Sequence, residues 1–110
     1  MLTLKNLCDY YFQCFSEQDI EKLSELFSDD IKLEDWNISV QGKDSVLDAV
    51  GDIFKHVKTI IVTPIHKYED YSTVCCEILI LVDDIETLRV VDIIKFNSLM
   101  KIDSIRAYKL

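Results

Sequence analysis

The chain has 110 residues, a formal net charge of −8 and an apolar fraction of 49%, enough for one hydrophobic core with no room for a second domain. Its 12 lysine and arginine residues are scattered, so the basic patch that a nucleic-acid backbone requires is missing, and no nucleic-acid partner is expected. No apolar run is long enough to span a bilayer, and the N-terminus lacks the pattern of a secretory signal. We therefore expect one soluble, cytoplasmic domain over residues 1–110, with no membrane partner.

The cysteines and histidines do not form a metal-binding or redox pattern. Their spacing matches neither a CxxC motif nor a paired set of zinc ligands, which leaves reduced, mostly buried thiols as the expectation. No metal site is expected from these residues, which are Cys8, Cys14, Cys75, Cys76, His56 and His66.

Apolar residues recur every three or four positions in three segments, which predicts three amphipathic helices. The first covers residues 4–15 and turns Tyr11 towards the core. The second begins after Asp19, a good N-cap, and stops at residues 28–30, so that Phe27 is its last inward residue. The third covers about residues 44–57, after a turn at Gly42.

The remaining segments are rich in Ile, Val, Tyr and Thr, which predicts strands. Four of them, at 59–67, 72–82, 87–96 and 101–109, are joined by hairpins, and a fifth is predicted at 31–40. Helices followed by hairpin-linked strands predict an α+β fold. We expect N-terminal helices packed on a strongly curved antiparallel sheet that forms a cone-shaped apolar pocket.

Two acidic residues interrupt apolar rows of the predicted strands. Because successive side chains of a strand point to opposite faces, Asp35 continues the row of Ile31 and Leu33. Asp92 similarly shares a row with Val90 and with Ile94. Both carboxyl groups are therefore expected to face the pocket.

A third acid is placed by the hairpin between the two central strands. If Val82 and Thr87 flank the DDIE turn, Glu77 lies directly opposite Asp92 on the pocket face. Two adjacent carboxyls against apolar walls cannot both ionise cheaply, so one of the two is expected to keep its proton near neutral pH.

The same residues also have a purely structural interpretation. Asp35 can end a strand in a turn, Asp92 and Glu77 can pair with Arg106 or with solvent, and Tyr11 can be an ordinary core residue.

Strand 72–82 carries apolar side chains on both faces. One face, with Glu77 and Leu79, is assigned to the pocket. The other would be exposed on a monomer, so we expect a homodimer formed sheet to sheet, the alternative being coverage by the chain's own helices. This second face consists of Val74, Cys76, Ile78, Ile80 and Val82, supplemented by Val91 and Ile93.

Two stretches carry a family resemblance. YFQCFSEQDIEKLSELFSDDIKLEDW and VVDIIKFNSLMKIDSIRAY resemble the first helices and strand, and the closing hairpin, of the ketosteroid isomerase branch of the nuclear-transport-factor-like, or SnoaL-like, superfamily. The resemblance puts Asp35 at the catalytic-base position and Tyr11 and Asp92 at the oxyanion-hole positions. Two departures are Trp36, where these isomerases have proline, and Glu77, where their pocket wall is apolar.

The resemblance implies a cofactor-free isomerase. Asp35 would remove a proton beside a carbonyl, and Tyr11 with a neutral Asp92 would hold the enolate oxygen, as in the ketosteroid isomerases. The expected ligand is a small apolar molecule with a carbonyl or phenol-like oxygen. The expected pocket wall comprises Phe15, Phe27, Trp36, Phe54, Glu77, Leu79, Val90 and Ile94.

Other functions fit the same sequence. One alternative is a non-catalytic small-ligand-binding module, and another is a dimeric interaction domain with a vestigial pocket. A related enzyme, which hydrolyses an epoxide or cyclises a polyketide, would use the Glu77–Asp92 pair.

Overall fold

The computed structural model describes residues 2–110, which form three helices and six strands. In chain order they are α1 (Leu4–Ser16), α2 (Ile20–Leu26), β1 (Phe27–Glu34), β2 (Ser39–Gln41), α3 (Lys43–Lys55), β3 (Ile60–Asp70), β4 (Thr73–Val82), β5 (Glu86–Phe96) and β6 (Ile102–Lys109). The predicted α+β class and its three helices are confirmed.

Side chains at the start of α1 and α2 explain where these helices begin. The Thr3 hydroxyl accepts a hydrogen bond from the Asn6 N–H at 3.1 Å, and Oδ1 of Asp19 accepts one from the Lys22 N–H at 3.0 Å. α2 ends one residue before the predicted Phe27, because the backbone of Phe27 is extended (φ −89°, ψ 140°) and already belongs to β1.

The strands form one sheet in the order β2-β1-β6-β5-β4-β3. All neighbouring strands are antiparallel except β1 and β6, which run parallel. The expectation of a wholly antiparallel sheet is wrong at this pair. A tight hairpin joins only antiparallel strands, whereas β1 and β6 are separated by a long connection that lets them run in the same direction.

The predicted strand at residues 31–40 is in fact a short hairpin. Oδ1 of Asp35 accepts hydrogen bonds from the N–H groups of Asn37 and Ile38, both at 2.7 Å, and the Asp35 N–H donates to the Ile38 carbonyl at 2.8 Å. An aspartate that bonds its own backbone two and three residues ahead stabilises a turn. The chain therefore reverses direction after Glu34.

The β4–β5 hairpin has a three-residue turn instead of the predicted four-residue one. Val82 pairs with Glu86, and Asp83 and Asp84 both have left-handed backbones, with φ of 53° and 59°. Aspartate tolerates this conformation better than most residues. The Asp83 carboxylate also holds the turn, since it accepts hydrogen bonds from the N–H groups of Lys58 and Thr59.

This turn shifts the register by one residue from the predicted one, and such a shift exchanges the two faces of a strand. Asp92 pairs with Cys76, and Glu77 pairs with Val91. The expected facing pair of Glu77 and Asp92 is therefore wrong. The assignment of the outer face is wrong too, because the residues predicted to form it belong to the core or to the cavity wall, namely Val74, Cys76, Ile78, Ile80 and Val82.

The helices cover one face of the sheet. α1 packs on β3 and β4, α3 packs on β1 and β2, and α2 lies between the two longer helices. Gly42, whose φ of 95° would strain a residue with a side chain, makes the turn into α3. None of the helices in residues 2–110 is long and apolar enough to cross a membrane.

Two adjacent cysteines of β4 test the observed register. Cys76 is fully buried and Cys75 is partly exposed on the opposite face. Cys76→Ser buries a hydroxyl in the core and should lower the free energy of unfolding by about 1–3 kcal/mol. Cys75→Ser should change it by less than about 0.5 kcal/mol. Urea unfolding of both variants measures this difference, and a larger loss for Cys75→Ser would contradict the register.

Candidate functional site

A cavity of about 230 Å³ lies between the helices and the covered face of the sheet. Its wall is almost entirely apolar, with Ile78 and Ile80 from β4 on one side and Val46 and Val50 from α3 on the other. The lining residues within the described part of the chain include three ionisable side chains, those of Tyr11, Asp35 and Asp92, and no lysine, arginine or histidine. An apolar pocket with a few convergent polar groups is the usual form of a small-molecule site.

Tyr11 is held in the cavity wall by an aromatic cluster. Its ring centroid lies 5.3 Å from that of Phe12, 6.0 Å from that of Phe15 and 6.2 Å from that of Phe27. Burial, and then the nearby Asp92 carboxyl, raise the pKa of Tyr11 well above its ordinary value. The phenol therefore keeps its proton and is available as a hydrogen-bond donor.

Asp35 lies at the β1–β2 turn, where the same hydrogen bonds that form the turn orient its carboxyl group. Oδ1 accepts the two backbone N–H groups of Asn37 and Ile38, and the side chain contributes to the cavity wall. Asp35 thus lies in a turn, as the purely structural interpretation predicted, and also in the cavity wall, as the pocket prediction required.

Asp92 is 7% exposed and is the single buried charged or polar residue among residues 2–110. Burial, and to a lesser extent the charge of Asp35, together raise its pKa from 3.8 to about 7. Near neutral pH the carboxyl group is thus close to half protonated. Glu77 and Asp92, which were predicted to share a proton, do not face each other. The carboxylate whose charge raises the pKa of Asp92 is Asp35.

Strand β6 brings the two carboxyl groups together. Asp92 of β5 pairs with Ala107, and on the other side of β6 Glu34, the residue before Asp35, pairs with Arg106. Asp35 and Asp92 therefore flank Ala107, which also lines the cavity. The Ala107 side chain is a single methyl group and fills little of the space between the two acids.

Neither the Tyr11 hydroxyl nor the Asp92 carboxyl has a hydrogen-bond partner within residues 2–110. Every fully buried side-chain oxygen or nitrogen in this part of the chain has a partner. The unpartnered oxygens of Tyr11 and Asp92 are therefore not fully buried. Their polar atoms are therefore reached from the cavity. Buried polar groups are normally hydrogen-bonded, so these two are suited to bonding a ligand.

The predicted pocket wall is only partly formed by the residues expected. Phe15, Phe27, Trp36 and Val90 line the cavity. Phe54 and Ile94 are buried beside it. The Phe54 ring contacts the Phe15 ring edge to face, with 4.9 Å between the ring centroids.

Glu77 and Leu79 were expected in the pocket and lie on the opposite face of β4. The Glu77 carboxylate contacts the His66 ring at 3.1 Å and its side chain is 42% exposed. The reason is the one-residue register shift at the β4–β5 turn.

Several residues of the cavity wall were not predicted from the sequence, among them Asn37, Ile53, Val57 and Ala107. Ile53 belongs to the apolar stripe of α3, and Val57 continues the same spacing just beyond the end of the helix, which was a usable signal. Ala107 and Asn37 are in the wall because β1 pairs with β6, and no local sequence pattern predicts that pairing.

The chain belongs to the SnoaL-like domain family, whose family model matches residues 9–102. No curated protein sequence matches the chain.

Solved structures share the fold at low sequence identity. An NTF2-like protein of unknown function from Cytophaga hutchinsonii is 11% identical (TM-score 0.84; 100% of this chain and 92% of that chain covered). The epoxide hydrolase/cyclase-like enzyme SalBIII of pyran ring formation in salinomycin is 17% identical (TM-score 0.84; 97% and 90%). A candidate ketosteroid isomerase from Kribbella flavida is 14% identical (TM-score 0.84; 97% and 77%). The fold is thus one on which isomerase-like and cyclase-like proteins are found.

The raised pKa of Asp92 predicts a pH dependence of stability. Between about pH 4 and about pH 7 the folded chain keeps a proton that the unfolded chain releases, so stability should fall as pH rises, by about 1.4 kcal/mol per pH unit from this group. Asp92→Asn removes the group and should flatten the curve by that slope. Urea unfolding at several pH values measures both curves, and parallel curves would show that Asp92 titrates normally.

Proposed function

We propose that the protein is a cofactor-free isomerase that moves a proton from a carbon beside a carbonyl group. The observation that carries the proposal is the meeting of three groups in one apolar cavity: a turn-held carboxylate at Asp35 and two unpartnered groups, the Tyr11 phenol and the Asp92 carboxyl, which donate hydrogen bonds when protonated. Family membership and the isomerase-like and cyclase-like neighbours support the same class of chemistry.

Each group has one part in the reaction. The Asp35 carboxylate takes the proton from the α carbon, and the electrons of the C–H bond form a carbon–carbon double bond while the carbonyl oxygen becomes an enolate. Tyr11 and protonated Asp92 donate hydrogen bonds to that oxygen. Where a second carbon–carbon double bond is conjugated with the enolate, protonated Asp35 returns the proton to the far (γ) carbon of this system, which restores the carbonyl, shifts the double bond and regenerates the base.

The apolar wall makes this arrangement effective. Hydrogen bonds to a developing negative charge are stronger in a cavity of low polarity than in water, because no solvent competes for the oxygen. The same burial that raises the pKa of Asp92 keeps it as a donor. A single environment therefore produces an acid and a base from two aspartates, as in other enzymes with paired carboxyls.

A second reaction class uses the same pair. Asp92 could protonate an epoxide oxygen while Asp35 positions a water or hydroxyl nucleophile, and the similarity in fold to an epoxide hydrolase/cyclase-like enzyme favours considering it. The sequence suggested Glu77 and Asp92 for this role, but Asp35 is the carboxyl that acts on Asp92.

We also propose that two copies of the chain associate through the uncovered face of the sheet. The helices pack on the other face, and partly exposed apolar side chains remain on this one. Burial of such a patch between two identical sheets is the simplest way to remove it from water. The patch consists of Ile61, Leu79, Leu81, Val91 and Ile93.

Hydrogen–deuterium exchange at the α carbon of small ketones tests the isomerase without knowledge of the natural substrate. The protein should accelerate exchange, and Asp35→Asn should lower the rate by about 10²–10⁴-fold because the base is lost. Tyr11→Phe and Asp92→Asn should each lower it by about 10–10³-fold, since each removes a donor to the enolate. NMR follows the exchange directly.

Asp30→Asn is the matched control, because Asp30 is exposed on β1 and undergoes the same chemical change. Its exchange rate should equal that of the unmodified protein. If phenols bind in the cavity but no ketone exchanges, the protein is a non-catalytic binder.

Light scattering after gel filtration tests the association of two copies. The expected mass is twice the 12.8 kDa of one chain, and Leu79→Lys, which places a charge on the patch, should shift it towards one chain. The exposed Ile85→Lys in the β4–β5 turn is the control and should leave the mass unchanged. A mass of one chain at all concentrations would refute the dimer.

A further inference from the structure

Lys109 is an exposed residue on the cavity face of β6, next to residues of the cavity wall. Ile105 and Ala107 line the cavity, and Lys109 continues the same row two residues further on. Its pairing partner on β5 is Val90, which is also in the cavity wall. The side chain of Lys109 therefore lies on the same face of the sheet as the cavity and not on the outer face.

Trp36 holds the ammonium group of Lys109. Nζ lies 5.2 Å from the Trp36 ring centroid, within the range of a cation–π interaction. Trp36 belongs to the cavity wall and is 40% exposed, so it lies where the cavity wall meets solvent. The cation is thus kept at the entrance.

The charge of Lys109 is not neutralised by a carboxylate. Within residues 2–110 its ammonium group forms none of the salt bridges made by other lysines, such as Lys67 with Asp9 or Lys32 with Glu34. A negatively charged ligand group would meet a free positive charge at this point.

The interior of the cavity has the opposite character. Its charged groups are the carboxyls of Asp35 and Asp92, which would repel an anionic group. A ligand with a carbonyl at one end and a carboxylate at the other could therefore enter in one direction only, with the carbonyl inside and the carboxylate at the rim.

We propose that Lys109 and Trp36 form a subsite for the carboxylate of a small keto acid, whose carbonyl oxygen lies at Tyr11 and Asp92. The proposal rests on the proposed function, since that function defines the inner end of the ligand. Ala107 is the pairing partner of Asp92, and Lys109 is two residues, about 7 Å, further along β6. The two ends of the ligand are separated by a span of that order, which a molecule of one or two rings covers.

A pair of fluorescent phenols, 2-naphthol and 6-hydroxy-2-naphthoate, tests the subsite, because they differ only by the carboxylate. Lys109→Gln should lower the affinity for the naphthoate about fivefold relative to that for the naphthol, as expected for a partly exposed ion pair. Lys95→Gln is the control, because it removes the same charge from an exposed position on the other face of the sheet. It should leave the ratio of affinities unchanged, and added salt should reduce the ratio only where Lys109 is present.

Each other outcome contradicts the subsite. An equal loss for both ligands would mean that Lys109 only covers the entrance, and an equal change of the ratio in Lys95→Gln would mean that net charge alone acts. If neither ligand binds, the proposed subsite is also overturned. The proposed function fails separately, if ketone exchange is absent or if naphthol affinity is indifferent to Tyr11→Phe and Asp92→Asn.

Discussion

The parallel pairing of β1 with β6 is the contact on which the candidate site depends. β6 lies between β1 and β5, so Asp35 at the end of β1 and Asp92 in the middle of β5 flank a single residue, Ala107. Without that pairing the two carboxyls would belong to unrelated parts of the sheet. The same arrangement puts Lys109 and Trp36 together at the entrance, because both follow the paired segments.

The two aspartates differ because their surroundings differ. Asp35 is in a turn whose backbone N–H groups it bonds, while Asp92 is in an apolar wall with no hydrogen-bond partner within residues 2–110. Burial without a partner costs free energy, and Asp92 reduces that cost by taking up a proton. The stability of the fold and the availability of a neutral donor are therefore coupled through one residue, as is common where a site is built at the expense of stability.

Charge is distributed in a way that net charge does not reveal. The chain is strongly acidic, but the cavity contains its two carboxyls close together and a free ammonium group lies at its entrance. In the proposed function, such an arrangement would distinguish the two ends of a ligand by charge while the apolar wall provides most of the contact area. Recognition and catalysis would then be carried out by different groups on neighbouring strands.

The sequence by itself determined the features that depend on local periodicity. The three helices, the inward position of Tyr11 and the row that Asp92 shares with Val90 and Ile94 all follow from side-chain repeats of 3.6 or 2 residues. The family resemblance added the candidate role of each acid. These features need no knowledge of how distant segments meet.

Only the tertiary structure decided how neighbouring strands are aligned. Hydrogen bonds from Lys58 and Thr59 to Asp83 hold a three-residue turn, and that turn moves Glu77 to the outer face and brings Cys76 opposite Asp92. A strand's own sequence records which residues share a face, but the face that meets the core depends on the turn and on the partner strand. That is why Asp35 and Asp92 could each be assigned to a row in advance, whereas the residue opposite Asp92, which is Cys76 and not Glu77, could not.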